Sequence, residues 1–130
     1  MSNKQQAFQD ETMVEIDSDY KCPYLEYFYN GELRKVAIDN PSTIVGRLRD
    51  KVDYIVDDAK VSKVHAEFCF DGGKCFVKDC GSTHGTYING SGQRIDDNVP
   101  YQIFNGDKIK LANIEMTLRC NRSETINCDN

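Results

Sequence analysis

No apolar run in this 130-residue chain is long enough to cross a bilayer, so a membrane-spanning helix is excluded. The first residues, MSNKQQAFQDE, are polar and acidic, unlike a secretory signal peptide. A soluble, cytoplasmic protein is therefore expected. Surplus positive charge is missing too. Against 16 Lys and Arg stand 21 Asp and Glu, a net charge of −5. The acidic excess sits in the outer parts, because residues 1–20 carry a charge of −4, residues 121–130 carry −1, and residues 21–120 balance at 14 basic and 14 acidic. The basic field of a duplex nucleic-acid binder is absent. Helix-period segments of useful length are also missing, as are a Walker loop and a dinucleotide fingerprint.

Six cysteines are present, Cys22, Cys69, Cys75, Cys80, Cys120 and Cys128, yet none forms a Cys-x-x-Cys pair. That spacing gives no metal knuckle for a zinc site on Cys69, Cys75 and Cys80, and no secretory disulfide framework is expected. They read as reduced thiols, some buried as small core residues and Cys128 exposed. Asn89-Gly90-Ser91 and Asn121-Arg122-Ser123 match a glycosylation sequon, which carries no meaning in the cytosol.

Residues 1–20 and 121–130 read as flexible tails around one domain at 21–120, long enough to bury a core. From Tyr24 onward the chain breaks into short β-like runs. Tyr24–Tyr29 and Glu32–Ile38 flank Asn30-Gly31, a two-residue hairpin signal because both turn positions require positive φ. Asn40-Pro41 then breaks the chain, and Thr43–Gly46 and Val52–Val56 follow. His65–Phe70 and Lys74–Lys78 flank Asp71-Gly72-Gly73. Thr86–Ile88 ends at Asn89-Gly90, Asn105-Gly106-Asp107 separates Pro100–Phe104 from Lys108–Leu111, and Ile114–Arg119 closes the series. So many short strands between turns predict an all-β sandwich or barrel. Tyr24, Tyr27, Phe28 and Tyr29 resemble a base-stacking platform, but strand alternation explains them as core, and no nucleic-acid partner is expected.

Three polar clusters stand at the ends of these runs: Gly46-Arg47, Ser62-Lys63-Val64-His65, and Ser82-Thr83-His84-Gly85-Thr86 leading to Asn89-Gly90. Together they offer a guanidinium, an ammonium, several hydroxyls and tight glycine turns. That is the equipment for holding a phosphate, since a guanidinium forks onto phosphate oxygens through charge-assisted bonds. Arg47 has a plainer alternative, a surface ion pair with Asp50 or Asp53. Catalysis is not expected. Gly81-Ser82-Thr83-His84-Gly85 is no Gly-x-Ser-x-Gly elbow, and a Cys80/His84 or Ser62/His65 pair has no third orienting group.

In these clusters the chain, over roughly Tyr24 to Arg119, resembles the forkhead-associated (FHA) domain, a phosphothreonine reader. The resemblance implies a twisted antiparallel β-sandwich of SMAD/FHA type, with binding loops at one end and termini together at the other. It implies that Arg47 clamps the phosphate, that Ser62 donates its hydroxyl, and that Lys63 adds charge where relatives often carry Arg or Asn. Thr83 matches the position that shapes the pocket for the phosphothreonine methyl. His84 stands where the commonest pattern has Asn to bond the ligand backbone. An imidazole serves one such bond where a carboxamide serves two, so a retuned contact with pH dependence near neutrality is expected. Gly46, His65, Gly85 and Asn89 are expected to support the loops. The implied protein is a non-catalytic adaptor without cofactor or metal, its partners threonine-phosphorylated proteins, among them a Ser/Thr kinase or its substrates. The alternative is an assembly module of the same fold that needs no phosphate.

The acidic N-terminal tail holds a ligand candidate of its own. Thr12 precedes Tyr24 by twelve residues, a tether of roughly 40 Å at about 3.3 Å per residue. Family preference often rests three residues after the phosphothreonine, here Glu15, and Lys60 near the second cluster would meet that acid. Phosphorylated Thr12 is thus expected to occupy the groove of its own chain or of a second copy, helped by a high effective concentration.

Overall fold

The computed structural model describes residues 23–38 and 41–120. Ten strands form two five-stranded sheets: β1 (Tyr24–Tyr29), β2 (Glu32–Ala37), β3 (Ser42–Gly46), β4 (Tyr54–Ile55), β5 (Ala66–Asp71), β6 (Lys74–Asp79), β7 (Thr86–Ile88), β8 (Tyr101–Ile103), β9 (Lys108–Leu111) and β10 (Ile114–Arg119). One sheet runs β2-β1-β10-β9-β7 and the other β4-β3-β5-β6-β8. The all-β sandwich expected from the sequence is present.

Its hairpins follow from their turn residues. Asn30 and Gly31 have φ of 52° and 79° and join Tyr29 directly to Glu32. Gly72 and Gly73, at 61° and 82°, do the same between Asp71 and Lys74. A third tight turn carries no such signal: Ala112 takes φ of 58° between Leu111 and Ile114. Its amide bonds the Gly85 carbonyl at 3.0 Å, a tertiary contact that offsets the strain.

Two expectations need correction. Val52–Val56 is not a full strand. Arg49–Lys51 forms a 3₁₀ turn and only Tyr54–Ile55 pairs. That pairing with β3 is also parallel, so the sandwich is not wholly antiparallel. The cause is a contact between residues 9 apart: Asp53 Oδ2 accepts the Ile44 amide at 2.8 Å, docking the returning chain alongside β3. Asn40 of the predicted break, and the tails at 1–20 and 121–130 with Thr12 and Glu15, lie outside the described residues.

Alternation along the strands builds the core. In β10, Ile114, Met116 and Leu118 turn inward while Glu115 stays exposed, and in β9 Ile109 and Leu111 alternate with two lysines. They meet Val45, Ala66, Phe68 and Val77 from the opposite sheet. At one margin the Tyr27 and Tyr54 hydroxyls bond at 3.1 Å, joining β1 to β4 across the sheets. Burial, then the Tyr54 hydroxyl, pushes the Tyr27 phenol pKa well up, so it stays protonated. Cys75 is buried and Cys69, Cys80 and Cys120 are half-buried. Cys22 and Cys128 lie outside the described residues. Among the described residues no group of three or more His, Cys, Asp or Glu side chains is placed to hold a metal. No helix among them is long and apolar enough to cross a membrane.

Phe68 is fully buried between the sheets. Phe68→Ala is expected to lower the free energy of unfolding by about 3–5 kcal/mol through lost burial and a residual cavity. Urea denaturation followed by far-UV circular dichroism measures it.

Candidate functional site

Three connections converge at one end of the sandwich: the β3 exit at Arg47, the segment 59–65 before β5, and the loop Cys80–Gly85 between β6 and β7. The first two are fused through backbone. A side chain on Gly46 would collide with the Lys63 carbonyl, so only glycine lets the segments approach. The amides of Arg47 and Leu48 then donate to that carbonyl, both at 3.1 Å. Arg47 Nε donates to the Val61 carbonyl at 2.9 Å, which aims the rest of the exposed guanidinium outward. Asp53 is engaged with the Ile44 amide, and Arg47 forms no ion pair among the described residues. The plainer alternative for Arg47, an ion pair with Asp50 or Asp53, is not found.

His65 staples the second loop to the third and is fully buried. Its Nδ1 accepts the Ser62 amide at 3.0 Å, so the ring hydrogen lies on Nε2, 3.0 Å from the Gly85 carbonyl. This is a neutral imidazole held by two backbone groups. Burial pushes its pKa below the ordinary histidine value, opposed by the Gly85 bond and the Asp79 charge. The Ser62 hydroxyl completes the staple: its oxygen accepts the Thr83 amide at 3.0 Å. That oxygen keeps its own hydrogen and a second lone pair for a ligand.

The third loop is organised by a residue that the sequence reading passed over. Asp79 ends β6 with no exposed surface. One carboxylate oxygen accepts the Ser82 hydroxyl at 2.6 Å and the Thr86 hydroxyl at 2.7 Å. The other accepts the amides of Gly81 and Ser82 at 3.0 and 2.9 Å and Arg94 Nη2 at 3.0 Å. Burial alone would push this carboxyl up, but the bonds from Ser82 and Thr86 outweigh it and hold the pKa at about 2. Asp-x-x-Ser is a local pattern in which a carboxylate caps amides two and three residues on, and it was the available signal. Arg94, 15 residues away, offered none. Gly85, at φ of 88°, packs against Arg94 and the Tyr87 ring.

These loops enclose an open groove of about 500 Å³. Arg47, Lys60, Ser62, Lys63, Thr83 and His84 all line it, so every expected ligand-facing side chain is brought together. Arg47, Lys60 and Lys63 bring positive charge, and among the described residues no carboxylate lines the groove. Gly46, His65 and Gly85 lie behind it, as loop supports. Asn89 acts elsewhere: its side chain bonds Asp107 at 3.2 Å and the Lys108 amide at 2.9 Å. It fastens the turn after β7 to the start of β9, not the groove loops.

The comparisons with known proteins bear on the family and the fold. A family model described as FHA domain matches residues 43–112. The glycogen accumulation regulator GarA of Mycolicibacterium smegmatis is 38% identical over 82 residues, 63% of this chain and 48% of that protein. An oxoglutarate dehydrogenase inhibitor of Corynebacterium efficiens is 44% identical over 55 residues, 42% of this chain and 38% of that one. The chain therefore spans about half or less of the length of these curated relatives. Among solved structures, an FHA domain studied for phosphothreonine-dependent interactions superposes with a TM-score of 0.66 at 27% identity, covering 77% of this chain and 97% of that one. The MEK1 FHA domain bound to a phosphothreonine peptide of HOP1 gives 0.63 at 26% identity, with the same coverage.

Two expectations follow for the loop supports. Because folded His65 resists protonation, the unfolded chain gains protons first as pH falls below about 6.5, and stability drops from there downward. Urea midpoints at pH 7 and pH 5 should show that drop, with a smaller one in His65→Asn. Asp79→Ala strands Arg94, Ser82 and Thr86 and is expected to cost about 3–5 kcal/mol in the same assay.

Proposed function

The chain belongs to the FHA domain family, and from that premise we propose that it is a non-catalytic adaptor that binds threonine-phosphorylated proteins through this groove. The observation that carries the reading is the groove's composition. Among the described residues, Arg47, Lys60 and Lys63 line it without a carboxylate, beside the Ser62 hydroxyl, which keeps its hydrogen to donate. An anion rich in acceptors is the ligand such a surface suits. Arg47 forks onto the phosphate, Ser62 and Lys63 supply a hydroxyl and a point charge, and Thr83 shapes the wall beside the threonine methyl. His84 meets the ligand backbone, and Lys60 selects an acid three residues beyond the phosphothreonine. The partner is a protein modified by a Ser/Thr kinase, or the kinase itself. Half-buried thiols and a kinase-dependent ligand suit a cytoplasmic setting.

The N-terminal segment is a second ligand under the same reading. Glu15 lies three residues after Thr12, and Lys60 lines the groove to receive it. Phosphorylated Thr12 then competes with outside partners for Arg47. Comparing amide chemical shifts of Thr12-phosphorylated and unmodified protein checks this, and unchanged signals at Arg47, Ser62 and Thr83 reject it.

An assembly role without phosphate draws on a different surface. Phe28 and Leu33 pair across β1 and β2 and are 71% and 49% exposed. Titration of phosphorylated and unphosphorylated threonine peptides against wild type and Arg47→Ala separates the two readings. Arg47→Ala is expected to weaken phosphopeptide binding about 10- to 100-fold, or about 1.4–2.8 kcal/mol. Equal affinity for unphosphorylated peptides decides for the assembly role.

A further inference from the structure

Arg94 lies on the connection between β7 and β8, behind the third loop and not among the groove-lining residues. Its Nη2 donates to the Ser82 carbonyl at 2.8 Å and to the Asp79 carboxylate at 3.0 Å, and Nη1 approaches the Thr83 carbonyl at 3.5 Å. Those two carbonyls belong to consecutive peptide planes. A trans peptide is rigid, so holding its C=O on one side directs its N–H to the other. The Ser82 carbonyl faces Arg94, and the Thr83 amide of the same plane faces the groove side, where it meets Ser62 Oγ at 3.0 Å. The Thr83 carbonyl, held more loosely at 3.5 Å, belongs to the plane that carries the His84 amide. One guanidinium thereby orients the planes that carry Thr83 and His84 into the groove.

We propose that Arg94 is a positioning residue for phosphothreonine binding, setting the third wall of the groove from behind without touching the ligand. This rests on the phosphothreonine reading above. A lysine in its place keeps a charge for Asp79, but a single ammonium does not reproduce a planar fork that reaches a carboxylate and two carbonyls together. Arg94→Lys therefore separates the ion pair from the orienting of the loop, which Arg94→Met removes along with the pair.

The test measures a phosphothreonine peptide against wild type, Arg94→Lys, Arg94→Met, Thr83→Ala, Arg47→Ala and the double variants, with Tm for each. It adds amide hydrogen exchange of the ligand-free proteins. Arg94→Lys should keep a near-wild-type Tm while its Kd rises about tenfold. Its Thr83 amide should exchange faster, while core amides such as Met116 are unchanged. Combined with Thr83→Ala, its effect should largely vanish, because the wall it positions is already damaged; combined with Arg47→Ala, the two factors should multiply. Unchanged Kd in both Arg94 variants overturns the inference and leaves the phosphothreonine reading standing. Loss of folding in both, or a Kd rise that tracks core exchange, assigns Arg94 a purely structural role and also overturns it. A wild type that does not prefer the phosphorylated peptide overturns both.

Discussion

A single buried carboxylate organises the functional end of this molecule. Asp79 is removed from water, and an isolated charge there would be strongly disfavoured. It remains ionised because five donors converge on it: two amides, two hydroxyls and a guanidinium. The dependence runs both ways. The carboxylate needs those donors to stay charged, and the Cys80–Thr86 segment needs the carboxylate to hold its turn. From that turn the order spreads outward, through Gly85 to His65, through His65 to the Ser62 amide, and through Lys63 to Arg47.

The groove's charge is therefore a local property. Residues 21–120 are neutral in sum, and the full chain is acidic. Three cations still gather at one rim because neighbouring carboxylates are occupied elsewhere: Asp53 by the Ile44 amide, Asp58 by the Lys60 amide, Asp79 by its loop. Net charge describes the long-range field, and the placement of partners describes the site.

What could be read from the sequence was what is encoded over a few residues. Asn30-Gly31 and Gly72-Gly73 announced their hairpins because positive φ is a property of the residue itself. The runs Lys108–Leu111 and Ile114–Arg119 were legible as strands at the bounds that the fold gives them. The three polar clusters were recognisable as a set through family resemblance, and the fold brings Arg47, Ser62, Lys63, Thr83 and His84 from them to one groove. What stayed hidden was tertiary. Arg94 reaches Asp79 across 15 residues, the parallel docking of β4 depends on where Asp53 lands, and Asn89 serves Asp107 and Lys108, which no local pattern connects to it. Ala112 at positive φ was likewise invisible, since its compensation is a bond to Gly85 in another loop.

The Ser62 hydroxyl carries a consequence beyond its place on the rim. A free serine hydroxyl rotates and serves as donor or acceptor to whatever approaches. Here the Thr83 amide occupies one of its lone pairs before any ligand arrives, which leaves one hydrogen and one lone pair for whatever enters the groove. One partner of that hydroxyl is thus fixed by the fold, and its other two positions are open to the ligand. Beside Arg47, Lys60 and Lys63 a phosphate oxygen takes the hydrogen, and the second lone pair still accepts from a ligand amide. The place of that oxygen on the rim is set by the fold, so the entropy of positioning it is lost during folding and not when a ligand binds.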